Sequence, residues 1–277
     1  MESSTRPLSR IVIPLIVLIA SGCSSPPTYP KAHLADSLQA LLNEDHLQAS
    51  VRLIDHTLAV HLIYPNVLAQ ANGQVGLGPA FDEATRKVIT AMHRVILSTD
   101  ADIAFYVLLL SDPAIPGAYI TLVRYLDDVK RANANMLDTP ELFARTIFEL
   151  NMGPKTLTLE QYVPRDIRLE EFLSWQLSRR IQYALMEQLQ TSGAAEVGRC
   201  GGEFHDGELA FTLDVSPRGG KETFDEATMQ RMFQTSTNVI AKVLSSYRFE
   251  SFNAVRLIHP LTGRNIVLPK TRLDVFR

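Results

Sequence analysis

Cysteine is scarce: Cys23 and Cys200 are the only two in 277 residues, too few for a disulfide framework. Neither sign of charge dominates. With 27 basic and 30 acidic side chains the net charge is −3, which argues against a chain that coats nucleic acid or an acidic membrane face. Basic tails, acidic tails and low-complexity tracts are missing. So are the motifs of familiar chemistry. The seven histidines (33, 46, 56, 61, 93, 205 and 259) stand singly, with no H-E-x-x-H, Cys-x-x-Cys or His-x-His pattern, so neither a metal site nor a cofactor is expected. His61 in a strand pattern and His93 on a helix read as hydrogen-bonded structural histidines. No G-x-S-x-G elbow occurs, nor the S-x-x-K set of penicillin-binding proteins. Two glycine-rich stretches, 73–78 and 218–223, have the wrong spacing for a dinucleotide or phosphate loop and read as connections.

What is present is a folded composition, 46% hydrophobic and 21% charged, in a chain long enough for two modest domains or one large one. The N-terminus is the most informative stretch. Arg6 and Arg10 precede an apolar run, Ile11–Ala20, interrupted by Pro14. A bilayer of about 30 Å needs roughly 20 apolar residues, so the run reads as a secretory signal and not as a span. Ala20–Cys23, ASGC, then resembles the lipobox of bacterial lipoproteins, in which the cysteine is lipidated and the chain is cut before it; Ala20 stands where that pattern usually has Leu. The resemblance implies an acylated Cys23 at the mature N-terminus and a membrane as partner. The alternatives are an ordinary cleaved signal or an uncleaved anchor. Ser24 follows the cysteine, where Asp in lipoproteins favours the inner membrane, so the resemblance favours the outer membrane, facing the periplasm, in a two-membrane envelope. Residues 24–31, SSPPTYPK, read as a semi-extended tether. Cys200, without His or a second Cys nearby, reads as a small buried residue.

FDEAT occurs at Phe81–Thr85 and again at Phe224–Thr228. Upstream of each copy lies a hairpin pattern: 51–54 with 57–65, and 200–204 with 208–217. Each FDEAT is expected to open a helix, capped by Asp82 or Asp225, the second about one turn longer. Apolar strands 103–113 and 252–260 follow, then 118–128 and 265–275. The long segment 66–80 reads as a loop. The expected fold class is therefore α+β: two related ββαββ units with mainly antiparallel sheets, helices packed on one face, joined by a helical linker. The expected boundaries are 1–22 signal, 23–31 tether, 32–132 first unit, 133–192 linker and 193–277 second unit, a possible internal duplication of the first. Further helices are expected at 33–43, from Thr139 as N-cap with apolar positions running to Leu150, and over 169–190.

The richest polar cluster is Arg124–Arg131, RYLDDVKR, read as a solvated strand end with compensating charges. If the first unit carries chemistry, Arg124, Asp127 and Asp128 are the candidates, as a carboxylate pair for acid–base work on a glycan. Three functions remain open: a lipid-anchored, non-enzymatic scaffold, adaptor or assembly factor with envelope protein partners, which is preferred; a carboxylate-dependent cell-wall or glycan hydrolase; and a carrier of a lipid or other apolar ligand. An edge strand near 265–275 is expected to be able to accept a partner strand.

Overall fold

The computed structural model describes residues 28–155, 157–191, 193, 195–218 and 223–273. The signal, Cys23, residues 24–27 of the tether, and Gly219–Glu222 of the second glycine-rich stretch lie outside the described residues.

The first described elements are a short 3₁₀ turn and helix α1 (Leu34–Glu44), then the antiparallel hairpin β1 (Gln48–Ile54) and β2 (Thr57–Ile63). The expected loop at 66–80 contains a second hairpin, β3 (Leu68–Ala71) and β4 (Gln74–Leu77). Its two-residue turn is Asn72-Gly73, with φ of 52° and 77°, the mirror-image turn that asparagine and glycine favour because both accept positive φ. Helix α2 (Phe81–Ile96) leads to β5 (Phe105–Ser111) and β6 (Ala118–Tyr125). The expected strand end at 126–128 is the start of helix α3 (Leu126–Asn133). Helix α4 (Thr139–Arg145) is capped by Asp138, whose side chain accepts from the Glu141 N–H, so the cap lies one residue before the expected Thr139. The apolar positions beyond Arg145 form strand β7 (Ile147–Met152), not helix.

A short turn α5 (Leu159–Tyr162) precedes helix α6 (Leu169–Leu185), which continues as a π-helical turn, Met186–Gln190. Then come β8 (Ala195–Val197), β9 (Gly201–His205), β10 (Glu208–Thr212), β11 (Val215–Pro217), helix α7 (Glu226–Tyr247), β12 (Ala254–His259), β13 (Arg264–Pro269) and a final turn α8 (Lys270–Leu273). The expected strand at 265–275 thus stops at Pro269.

The main sheets have orders β1-β2-β5-β6-β7 and β13-β12-β10-β9. In both, a hairpin is followed by a helix, a strand parallel to the second hairpin strand, and an antiparallel strand. The class is α+β, and the two ββαββ units share strand order and direction. They part company in β7, added from the linker to the first sheet alone, and in α7, which at 22 residues against 16 is six residues longer than α2 rather than one turn.

One face of the first sheet carries Leu58, Val60, Tyr106, Leu108, Ile120 and Leu122, which form a core with α1 and α2. The other face, with Ala59, Phe105, Val107 and Val123, belongs to a larger core shared with α6 and the whole second unit. Strand β5 is buried on both faces along its length, which explains its uninterrupted apolar run. Helix α6 lies between the units: Phe172 meets Phe105 with ring centroids 5.3 Å apart, and Ser174 and Ser178 meet Gly202 of β9. In the second sheet Leu209, Phe211, Val255 and Leu257 face this core, while the opposite face is open and carries the Arg256–Glu208 ion pair at 2.6 Å.

The far end of the tether is fixed. The Tyr29 N–H donates to the Ser98 carbonyl at 3.2 Å and the Lys31 N–H to Asp100 Oδ1 at 2.6 Å.

Candidate functional site

The three sequence candidates start from the same place, the end of β6 and the first turn of α3, and diverge. Asp127 is exposed. Asp128, one position on, faces inward and is buried. Its Oδ1 accepts from Arg145 Nη1 at 2.7 Å and its Oδ2 from the Tyr247 hydroxyl at 2.6 Å. Arg124, on β6, packs on the sheet face that bears Tyr106, donating from Nε to Thr146 Oγ1 at 2.9 Å and from Nη1 to the Tyr106 hydroxyl at 3.2 Å. Among the described residues no ion pair joins Arg124 to either aspartate.

Around Asp128 a polar network extends across four helices. Arg145 of α4 also donates from Nε to Glu141 at 2.9 Å, and Arg180 of α6 donates to the same Glu141 oxygen at 3.0 Å. Gln176 of α6 donates to the Arg145 carbonyl at 2.6 Å and to the Tyr247 hydroxyl at 2.8 Å. The Arg145 guanidinium stacks over the Tyr247 ring, 4.6 Å from its centroid. Burial alone would depress Arg145, but the hydrogen bond to Glu141 and the charge of Asp128 outweigh it and raise its pKa. Burial, and then the Asp128 charge, push the Tyr247 phenol far up. Asp128 therefore keeps no open oxygen for a substrate. The network links the first unit, the linker and the last turn of α7, as satisfied buried charges do when they hold elements in register.

Other carboxylates near the expected site are spent similarly. Asp112 is buried and accepts from the Leu68 and Ala114 N–H groups at 3.2 and 2.9 Å. In the second unit, Lys270 donates to the Glu250 carbonyl at 2.8 Å, and Asp274 lies outside the described residues. Cys200 is buried, which raises its thiol to about 11. His61 pairs with Ser111 Oγ at 2.7 Å and His93 with the Tyr106 hydroxyl at 3.1 Å. One cluster is not marked by any local pattern because its members, His56, Asp102 and Asp166, are distant in the chain. His56, in the β1–β2 turn, has Asp166 3.1 Å from Nδ1 and Asp102 3.7 Å from Nε2, while Thr57 donates to Asp166 at 2.6 Å. Thr57 is fully buried and also accepts from the Ile167 N–H, so it has no path to act as a nucleophile. No group of three or more metal-binding side chains is placed together among the described residues.

A cleft of about 630 Å³ lies between the two sheets. Terminal strand β7 forms one wall, Arg199–Gly202 leading into terminal strand β9 the other, and Trp175, Ser178, Arg179 and Tyr183 of α6 the floor. A terminal strand keeps one row of backbone groups without a strand neighbour. Around β7 the surface is unusually apolar: Phe143 is 62% exposed, Met152 63%, Tyr183 58% and Trp175 42%. Arg179 and Arg199 both reach Glu149 of β7, at 2.7 and 3.5 Å. Of these apolar residues, Trp175 and Tyr183 line the cleft itself, beside the Arg179–Glu149–Arg199 charges. The sequence hid it because β7 reads as a continuation of α4. No helix of the described residues is long and apolar enough to cross a membrane. Comparison with protein-family models, with curated proteins and with solved structures found no match for this chain.

Proposed function

We propose that this is a lipid-anchored envelope protein, held to the membrane through an acylated Cys23, that works as a non-enzymatic scaffold or adaptor. The observation that carries the reading is the β7–β9 cleft: two terminal strands with their apolar surroundings face one groove, a setting in which an extended partner segment adds to a sheet by backbone pairing and is selected by its side chains. The fate of Asp128 supports it from the other side, since the best carboxylate of the sequence is committed to a structural network. The fixed position of Tyr29 gives the anchor a geometry. Tyr29 is six positions after Cys23, and at about 3.5 Å per extended residue the bridge at Tyr29 stays within roughly 20 Å of an acylated cysteine.

The test places a photoreactive side chain at Leu150 or Met152 of the full-length protein in cells, with exposed Thr90 on α2 as the control. Discrete protein adducts from the β7 positions alone are expected. An identical adduct pattern from Thr90, or none from β7, counts against the reading. Mass measurement of the mature N-terminal peptide tests the anchor separately.

A further inference from the structure

The first sheet contains a buried cation without a counter-charge among the described residues, its guanidinium lying 5.6 Å from the centroid of the Phe143 ring. Arg124 is 8% exposed, and its two hydrogen-bond partners, Thr146 and Tyr106, are neutral hydroxyls. A guanidinium has five N–H donors, so three remain uncommitted, and among the described residues no carboxylate lies within ion-pair distance. Buried charges are normally paired, because desolvation without a counter-charge is costly.

The fold does not require this cation. Arg124 pairs across the ladder with Tyr106; the matching ladder pair of the second unit is Leu268 with Val255, an apolar pair of which Val255 is in the core and Leu268 packs against it. Arg124 instead opens onto a recess of about 460 Å³ between α2, β6 and β7, walled by Phe81, Ile89, Leu122, Phe143 and Phe148. Thr85 Oγ1 is buried in the same recess without a hydrogen-bond partner. Asp82 and Arg86, one of each sign, stand exposed at its rim. The Tyr106 hydroxyl, paired with His93, fixes the guanidinium from behind. The size lies within the range of about 300–1,000 Å³ of small-molecule sites, which are mostly apolar with a few convergent polar groups.

We propose that this recess binds a small apolar carboxylate. Its head group accepts from Arg124 and from the Thr85 hydroxyl, and its tail lies against Phe81, Ile89, Phe143 and Phe148. Carboxylate fits because a guanidinium recognises it with two parallel hydrogen bonds.

The test is calorimetric titration of the full-length protein in lipid nanodiscs with octanoate and with its neutral counterpart octanamide, empty nanodiscs being subtracted. Octanoate is expected to bind at least about tenfold more tightly than octanamide, the size of a charged hydrogen bond, and Arg124→Gln to remove that preference. Because Arg124→Gln also disturbs a buried position, Ile89→Trp serves as a second variant that fills the recess and leaves Arg124 in place; it is expected to abolish octanoate binding while the circular dichroism spectrum is unchanged. Equal affinity for octanoate and octanamide, or octanoate affinity unchanged in Ile89→Trp, overturns the proposal.

Discussion

At the scale of single residues, neighbouring aspartates with the same local sequence have opposite roles. Removing Asp128 as Asp128→Ala leaves Arg145 buried with one of its two carboxylate partners gone, and breaking a buried pair costs about 3–5 kcal/mol. Asp127→Ala, at an exposed first-turn position, should cost no more than the helix-dipole contribution of about 0.3–1 kcal/mol. Equal midpoints for the two variants would contradict the network. A second prediction concerns pH. Burial lowers the imidazole pKa of His61, partly offset by Glu160, and that of His93, helped by Arg124, below the ordinary value of about 6.5. The unfolded chain then binds more protons than the native one, so stability is complete above about pH 6.5 and falls as pH drops through the lowered native values. Urea midpoints at pH 7.5 and 5.5 should differ less in His93→Gln than in the parent; an unchanged difference would rule out this histidine as a source. Little of this was legible beforehand. The sequence marked Arg124–Arg131 as unusual, but the partners Arg145, Gln176 and Tyr247 are distant in the chain, and no local pattern announces a contact between Asp128 and a tyrosine 119 positions on.

At the scale of elements, the repeated FDEAT separates local from tertiary control. In the second copy Asp225 is the N-cap, its carboxylate accepting from the Thr228 N–H at 2.6 Å. In the first, α2 begins at Phe81 with Ala80 in the cap position, so Asp82 is already inside the first turn and makes no cap bond. Asp225→Ala is therefore expected to cost about 1 kcal/mol through the lost cap, and Asp82→Ala less, through the helix dipole alone; thermal melts of the two variants check the order, and a larger loss in Asp82→Ala would reverse it. Gly202 offers a packing test. A Cβ there would lie 2.3 Å from the Ser174 carbonyl oxygen and 3.0 Å from Ser178 Cβ, so Gly202→Ala forces β9 away from α6 at about 1–3 kcal/mol, measurable by urea unfolding; a neutral result would mean that the strand–helix contact is loose. The two hairpins, α1, α2, α6 and the succession of hairpin, helix and two strands in both units followed from period and turn chemistry. The β3–β4 hairpin was missed although Asn72-Gly73 is a strong turn signal, because the strands beside it are short and half polar. Strand β7 was missed because Ile147, Phe148 and Leu150 also fit a helical face, and only pairing with β6 decides between the periods.

At the scale of the whole molecule, the two units are matched in topology but not independent. Among the described residues, the buried apolar side chains of the second unit all belong to the core it shares with α6 and the inner face of the first sheet, and the Asp128–Tyr247 bond adds a polar link between them. The repeat was legible as an order of elements; the burial of α6 between two sheets was not, because an apolar stripe does not say how many surfaces will cover it. This shared core gives the β7–β9 cleft its fixed walls, so its cooperativity is the claim on which the binding account rests. The most direct measurement is urea unfolding followed both by fluorescence of Trp175, the single tryptophan, and by far-ultraviolet circular dichroism. Coincident transitions, moving together in Tyr247→Phe, are the predicted result. Two separated transitions, with secondary structure persisting after the tryptophan signal has changed, would contradict it.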